Sequence, residues 1–182
     1  MKKIIIGLGN PGKEYQQTRH NAGFMFLDYL QTRLSLPAFS LNKKIQAKVS
    51  VMTNLLLVKP QTFMNLSGEA VKKTLMYFCD NLTQATQQSE LFNNLFIVHD
   101  DLDLEVGQYK IQQGVGPKQH NGLLSIYQVL GTQGFWHVRI GVDDRDGSRV
   151  LPSEKYVLQK LTKTQLSAIK EVFEKITTEI KD

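Results

Sequence analysis

The stretch KKIIIGLGNPG, residues 2–12, decides the fold class of this chain. Ile4, Ile5 and Ile6 follow one another without a polar residue between them, as in a strand that is covered on both faces of a sheet. The glycines and the proline that follow end this strand in a tight turn. Such a strand is typical of an α/β domain, in which helices pack on both faces of a largely parallel sheet.

The chain continues as an alternation of helices and strands. Asn21 is a suitable cap for a first helix. Two strands at residues 44–52 and 55–58 predict a hairpin that turns near residues 53–54. Ser67 is expected to cap a second helix that ends near Phe78. Residues 81–90 are rich in Gln and Thr and predict a loop.

The second half of the chain has the same alternation. A buried strand at residues 95–98 is expected to deliver residues 99–103 at its C-terminal end, where open α/β sheets usually build their sites. A strand at 109–111, a loop at 112–120, a helix from Asn121 and a strand at 135–142 follow. Thr162 and Gln165 have the spacing of a capping box before a last amphipathic helix.

These elements predict one domain that spans residues 1–182, since the chain has no internal repeat and no linker rich in Pro, Gly or Ser. The expected fold class is α/β, a single domain with a mixed, mostly parallel β-sheet flanked by α-helices. Of the 182 residues, 41% are hydrophobic and 21% charged, values close to those of globular proteins.

The formal net charge of +5 favours a polyanionic partner without requiring one. No segment approaches the roughly 20 apolar residues of a membrane helix. The apolar stretch at Ile4–Ile6 is too short for a signal peptide, and no small-residue cleavage site follows it. We therefore predict a cytoplasmic protein that does not associate with membranes.

Several common chemistries are poorly supported by the residues. Gly7, Gly9 and Gly12 match a dinucleotide-binding pattern, but Pro11 removes a backbone donor, and the acidic residue about 20 positions on, Asp28, lies inside the first helix. No G-x-S-x-G elbow of a serine hydrolase occurs. Four histidines and one cysteine provide no ligand set with the spacing of a zinc site. No metal is predicted.

Ordered sequence blocks suggest a hydrolase instead. They are GLGNPG (7–12) with Tyr15 and TRHNAG (18–23), TFMNLSG (62–68), HDDLD (99–103), HNGL (120–123) and RIG (139–141). Together they closely resemble the signature blocks of the bacterial peptidyl-tRNA hydrolases. The resemblance extends to about residue 180 and implies that family's single α/β domain, with no cofactor and with peptidyl-tRNA released prematurely from ribosomes as the substrate.

The resemblance implies a catalytic role for three residues. Hydrolysis of an ester near pH 7 needs a water molecule that has lost its proton, and the ordinary pKa of histidine, near 6.5, suits a general base. His20 is the implied base, and Asp100 is expected to fix its tautomer. Asn10 is expected to contact the first peptide unit of the substrate.

Other residues are assigned by the same resemblance to binding. Asn65 and Asn121 are expected to hold the tRNA acceptor end or the peptide backbone, and Tyr15 and Phe63 to stack on unpaired bases. Met64 is expected to form part of the pocket wall. The candidates for phosphate contacts are Lys110, Arg139, Arg145 and Arg149, and the choice between Arg145 and Arg149 is open.

The chain departs from the family pattern in two places. Residues 114–119, GVGPKQ, replace a run of small residues, and residues 142–145, VDDR, replace a turn similar to Gly-Arg-Pro. An alternative function is a non-catalytic RNA-binding module on the same fold, and a nucleotide-dependent oxidoreductase is a weaker third. A monomer without an obligate protein partner is expected.

Overall fold

A computed structural model of the chain describes residues 2–79, 85–145 and 150–180. Within these ranges seven strands form one sheet in the order β2-β3-β4-β1-β5-β7-β6. The strands are β1 (Lys3–Gly7), β2 (Ser40–Asn42), β3 (Ala47–Val51), β4 (Leu55–Pro60), β5 (Leu95–Glu105), β6 (Tyr109–Gln113) and β7 (Trp136–Asp143). The central strands β4, β1, β5 and β7 run parallel, whereas β2, β3 and β6 join the sheet through antiparallel pairs.

Helices pack on both faces of the sheet. Within the same ranges they are α1 (Ala22–Arg33), α2 (Ser67–Phe78), α3 (Ala85–Asn93), α4 (Asn121–Leu130), α5 (Ser153–Tyr156) and α6 (Lys163–Glu179). One core contains Ile4 and Ile6 with apolar side chains of α2, α3 and α4. The other contains Ile5 with side chains of α1 and α6. Successive isoleucines thus enter opposite cores, as the alternation of a strand requires.

The predicted α/β domain with a mixed sheet between helices is confirmed. So is the hairpin, since β3 pairs with β4 in antiparallel register from Ala47 opposite Pro60 to Val51 opposite Leu56. The capping box before α6 is also present, because the Thr162 side chain accepts a hydrogen bond from the Gln165 N–H and the Gln165 side chain accepts one from the Thr162 N–H.

Strand β5 is longer than predicted. Its pairing with β7 continues through Asp100 opposite Ile140 and Asp101 opposite Gly141. His99 and Asp100 therefore lie inside the strand, on buried backbone, and not in a turn beyond its end. The polar side chains at 99–101 concealed this continuation, because a sequence pattern does not reveal which polar residues find buried partners.

The cap predicted at residue 21 is correct in position, whereas the cap predicted at residue 67 is wrong. Asn21 occupies the N-cap position of α1, although its side chain makes no capping bond. Ser67 is the first residue of α2, and Leu66 occupies the cap position. In each case a short 3-10 turn, Arg19–Asn21 or Met64–Leu66, runs directly into the helix, so the chain enters without an exposed first turn that needs a cap.

The predicted loop at 81–90 is wrong from residue 85 onward, where α3 begins; residues 81–84 lie outside the described ranges. Leu91 of α3 is buried in the first core, and this packing outweighs the polar composition of the segment. The short elements β2 and α5 were not predicted. They contain three and four residues, too few to produce a periodic signal.

Gly7 and Gly23 bring β1, α1 and β5 close together. A Cβ atom on Gly7 would collide with the Gly23 carbonyl, and one on Gly23 would collide with the Leu8 backbone and the Val98 carbonyl. The first glycine of the dinucleotide-like pattern therefore serves close packing between backbone segments. This approach places the turn that carries His20 beside β5.

Candidate active site

Asn10, in the turn after β1, is fixed by two neighbouring segments. Its backbone N–H donates to Oδ1 of Asn21 over 2.8 Å, and its carbonyl accepts from Nδ2 of Asn21 over 3.0 Å. The Asn10 Oδ1 atom accepts from the Met64 N–H over 2.8 Å. Among the described residues Nδ2 of Asn10 has no partner, so its two donor hydrogens are available to a substrate carbonyl.

His20 lies in the 3-10 turn Arg19–Asn21, and its backbone N–H donates to the Val157 carbonyl over 2.8 Å. Its Nδ1 atom is 2.9 Å from Oδ1 and 3.0 Å from Oδ2 of Asp100. An ionised carboxylate only accepts hydrogen bonds, so Nδ1 carries the proton and Nε2 of the neutral ring carries a lone pair. Within the described residues no group hydrogen-bonds to Nε2, and the ring lines a cavity.

Asp100 joins two imidazoles. Its Oδ1 atom lies 3.0 Å from Nε2 of His120 in addition to the contact with His20. Burial raises the pKa of Asp100, but the charges of His20 and His120 and their hydrogen bonds outweigh burial and hold the pKa well below its usual range. The side chain is therefore ionised at neutral pH.

His120 is the functional residue that the sequence interpretation missed. It is the N-cap of α4, where its Nδ1 atom accepts a hydrogen bond from the Leu123 N–H over 3.3 Å. Nε2 must then carry the proton and donates it to Asp100. The signal was present, since His120 opens the HNGL block in which only the neighbouring Asn121 was assigned a role.

The pKa of His20 is raised above its ordinary value of 6.5. Burial is the largest single influence and lowers the pKa, because the low-dielectric surroundings disfavour the imidazolium. The charge of Asp100 and its hydrogen bond act together in the opposite direction and prevail. His20 is thus a stronger base than a free histidine.

All four histidines of the chain form one contiguous group. Ring centroids are 4.9 Å apart for His20 and His120, 5.3 Å for His120 and His99, and 5.6 Å for His99 and His137. Burial lowers the pKa of His99 well below 6.5 and that of His137 to about 4. The rings of His99 and His137 are therefore neutral at pH 7, and they form the uncharged end of this group of histidines.

A cavity of about 340 Å³ opens beside these groups, here named the catalytic cavity. Its polar wall contains His20, Asp100, His120 and Asn121. The remaining walls come from the end of β5, the loop before α4 and the region of α5, with Leu102, Asp103, Pro117, Lys118, Gln119, Arg145, Ser153, Glu154 and Val157. This space is large enough for a small organic group to lie beside the His20 ring.

The residues assigned to binding lie around the Asn10 turn and the start of α4. The rings of Tyr15 and Phe63 meet edge to face with centroids 6.3 Å apart, and Phe63 is 55% exposed. Met64 is buried, and its Sδ atom packs against Gly122. Asn65 is exposed beside it. Only Asn121 of this set lines the catalytic cavity itself.

The predicted phosphate contacts differ in their availability. Arg139 is buried and donates to Oδ2 of Asp101 over 2.7 Å, so its charge already has a buried carboxylate partner. Arg145 pairs with Asp143 through Nε over 2.7 Å. Lys110 is exposed on the edge strand β6. Arg149 lies outside the described residues.

Arg19, next to His20, is held by the C-terminal part of the chain. Its guanidinium donates to the carbonyls of Val142 and Lys160 and to Asp144, over 3.2, 3.3 and 2.9 Å. The same guanidinium lies 4.3 Å from the ring centroid of Tyr156. Because Arg19 and His20 share one short turn, these contacts fix the position of the imidazole.

The described residues contain one group of donor atoms with the composition of a metal site, formed by His20, Asp100 and His120, whose atoms lie within 4.8 Å of one another. Coordination by Nε2 of His120 would require a lone pair on that atom. The Leu123 N–H occupies the lone pair of Nδ1 instead and leaves the proton on Nε2. The three side chains therefore suit a hydrogen-bonded array better than a metal centre.

None of the helices in the described ranges combines the length and the apolar composition needed to cross a bilayer.

Comparison with known proteins gives a consistent result. A family model described as peptidyl-tRNA hydrolase matches residues 4–182. A peptidyl-tRNA hydrolase of Lawsonia intracellularis is 41% identical over 179 residues, 95% of this chain and 82% of the relative. One of Rickettsia bellii is 38% identical over 178 residues, 96% and 89% of the two chains. The crystal structure of peptidyl-tRNA hydrolase from Acinetobacter baumannii superimposes with a TM-score of 0.81 at 28% identity, over 99% of this chain and 87% of that one.

Proposed function

This chain belongs to the peptidyl-tRNA hydrolase family, and we propose on that premise that it hydrolyses the ester between a peptide, or an N-blocked amino acid, and tRNA. The substrate is peptidyl-tRNA released prematurely from ribosomes, and the products are a free peptide and a reusable tRNA. The observation that carries this proposal is the contact of His20 Nδ1 with the buried Asp100 carboxylate, in a ring that lines the catalytic cavity and whose Nε2 has no hydrogen-bond partner among the described residues.

In the proposed mechanism Nε2 of His20 removes a proton from a water molecule in the cavity. The water oxygen attacks the ester carbonyl and forms a tetrahedral oxyanion. The bond from the carbonyl carbon to the ribose oxygen then breaks, and the imidazolium returns the proton to that oxygen. Asp100 stabilises the imidazolium while it exists, and keeps Nδ1 protonated throughout.

The substrate must also be held and its oxyanion stabilised. Asn10 is the proposed donor, because its Nδ2 hydrogens have no partner among the described residues while its other polar atoms are fixed. Asn65 and Asn121 are proposed to bind the peptide backbone or the acceptor end. Tyr15 and Phe63 are proposed to stack on unpaired bases, with Met64 as part of the pocket wall.

The proposal includes the setting of the reaction. The protein is proposed to act as a monomer in the cytoplasm, the compartment in which prematurely released peptidyl-tRNA accumulates. The candidates for phosphate contacts remain Lys110, Arg139, Arg145 and Arg149. Lys110 is exposed. The two arginines that the structure describes, Arg139 and Arg145, already have carboxylate partners.

The function is tested with N-acetyl-aminoacyl-tRNA as substrate. Wild-type protein is expected to release the N-blocked amino acid, and His20→Asn to lose this activity while keeping its affinity for tRNA. Binding without turnover by the wild-type protein would contradict the proposal and favour the non-catalytic RNA-binding module. Equal rates for wild type and His20→Asn would remove His20 from the mechanism.

A further inference from the structure

A second cavity, of about 510 Å³, lies on the Asn10 side of the active-site turn. Its walls include Asn10 and Asn21, the two asparagines that are hydrogen-bonded to each other next to His20. We name it the lysine groove, because three lysines line it: Lys13, Lys48 and Lys59. None of the three lines the catalytic cavity.

The charges of the groove are unbalanced. Lys59 is buried, pairs with Asp28 and lies 4.1 Å from the ring centroid of Phe39, so its charge is already compensated. Lys48 stands directly opposite Lys59 in the β3–β4 register, an arrangement of like charges that is unfavourable in itself. Lys13 and Lys48 are exposed, and neither pairs with a carboxylate among the described residues. An anion that enters the groove can therefore pair with Lys13 and Lys48.

The chemistry of the substrate identifies the anion. On one side of the ester is a peptide whose sequence varies from substrate to substrate, so fixed positive charges cannot serve it generally. On the other side are nucleotides whose phosphates are the same in every substrate. A groove that begins beside the catalytic turn and exposes ammonium groups is suited to the phosphates of an unpaired strand.

Resting on the proposed function, we propose that Lys13 and Lys48 bind the phosphates of the unpaired 3′-terminal nucleotides of the tRNA, which run along the lysine groove toward Asn10 and His20. Lys59 is a positioning residue in this arrangement, since it holds β4 to α1 through Asp28.

The test compares Lys13→Gln, Lys48→Gln and the double variant with wild type on N-acetyl-aminoacyl-tRNA. Lys170→Gln is the matched control, because Lys170 is exposed on α6 and lines neither cavity. Each groove variant is expected to raise KM by about threefold to tenfold with kcat within about twofold, and to reduce the slope of log(kcat/KM) against log salt by about 1. Lys48→Arg keeps the positive charge, so its KM should stay close to that of wild type.

A second substrate, the N-acetyl-aminoacyl ester of the 3′-terminal trinucleotide, separates the unpaired nucleotides from the rest of the tRNA. The same rise in KM on this short substrate supports the proposal, whereas a rise seen only with the full tRNA would place the lysines on the duplex and overturn it. Groove variants that behave as Lys170→Gln would also overturn it. Wild-type turnover of both substrates keeps the proposed function intact in either case.

Discussion

Nδ1 of His20 lies 2.9 Å from Oδ1 and 3.0 Å from Oδ2 of Asp100, so the ring nitrogen faces both oxygens of one carboxylate. The two residues are 80 positions apart in the chain, on a 3-10 turn and on the central strand β5. This contact decides which nitrogen of the ring is basic. It also places the negative charge where it stabilises an imidazolium.

Replacing Asp100 by Asn should abolish its effect on the tautomer and the charge of His20. The side chain keeps its size, but its amide no longer stabilises the imidazolium and can force the other tautomer on His20. We expect kcat to fall by a factor on the order of 10² to 10⁴ with little change in KM. Asp103→Asn is the control, because Asp103 is exposed, lines the same cavity and has no contact with the imidazole. Equal rates for the two variants in single-turnover assays would contradict this role.

His120 should tune the basicity of His20 through the shared carboxylate. Its Nε2–H donates to Oδ1 of Asp100 and so draws negative charge away from His20. In His120→Ala we expect the pKa of His20 to rise, because the whole carboxylate charge then acts on one ring. NMR titration of the His20 ring protons measures this shift. A pKa that falls or stays unchanged would show that the Asp100 contact of His120 does not influence the base.

The contacts of Arg19 should contribute to stability as well as to position. Asp144→Asn removes the charge opposite a buried guanidinium, and we expect it to lower the free energy of unfolding by about 1–2 kcal/mol, a fall in Tm of a few degrees. Arg33→Gln removes the exposed pair with Glu174 and should change Tm much less. Chemical denaturation measures the free energy of unfolding of both variants. Comparable losses would mean that the buried contact of Arg19 stabilises the protein no more than the exposed pair does.

His99 and His137 should make the protein sensitive to acid. The pKa of His137 is about 4 in the folded protein and near 6.5 when unfolded, so the unfolded chain binds more protons between these values. Stability should therefore fall as pH decreases from 6.5 to 4, by up to about 3 kcal/mol for this residue. Denaturation at pH 7 and pH 4.5 should reveal a smaller loss in His137→Gln than in wild type. An identical loss of stability in both proteins would mean that residues other than His137 cause the acid sensitivity.

The sequence predicted the fold class and pointed to the proposed catalytic pair, because both leave local signals. Three consecutive isoleucines predicted a buried central strand, and the TRHNAG and HDDLD blocks identified His20 and Asp100 by resemblance. The contacts of Arg139 with Asp101 and of Arg19 with Asp144 join residues 38 and 125 positions apart, and no local pattern encodes such pairs. His120 lies in a recognisable block, but its contact joins the N-cap of α4 to Asp100 on β5, and the block alone does not reveal that contact.

The family assignment from the ordered blocks is confirmed by the match over residues 4–182. The two segments that depart from the family pattern have different places in the structure. Asp144 in the altered 142–145 turn became the partner of Arg19, a role that its sequence position does not predict. Pro117, Lys118 and Gln119 of the altered 114–119 loop line the catalytic cavity.

The most direct measurement is the pH dependence of the single-turnover rate on saturating N-acetyl-aminoacyl-tRNA, from pH 5 to 9, in wild type and His20→Asn. Neutral His20 is the proposed base and its pKa is raised, so the wild-type rate should increase with pH through a midpoint above 6.5 and then level off. His20→Asn should be slow at every pH and lack this midpoint. A wild-type rate that does not change with pH, or the same midpoint in both proteins, would contradict the account.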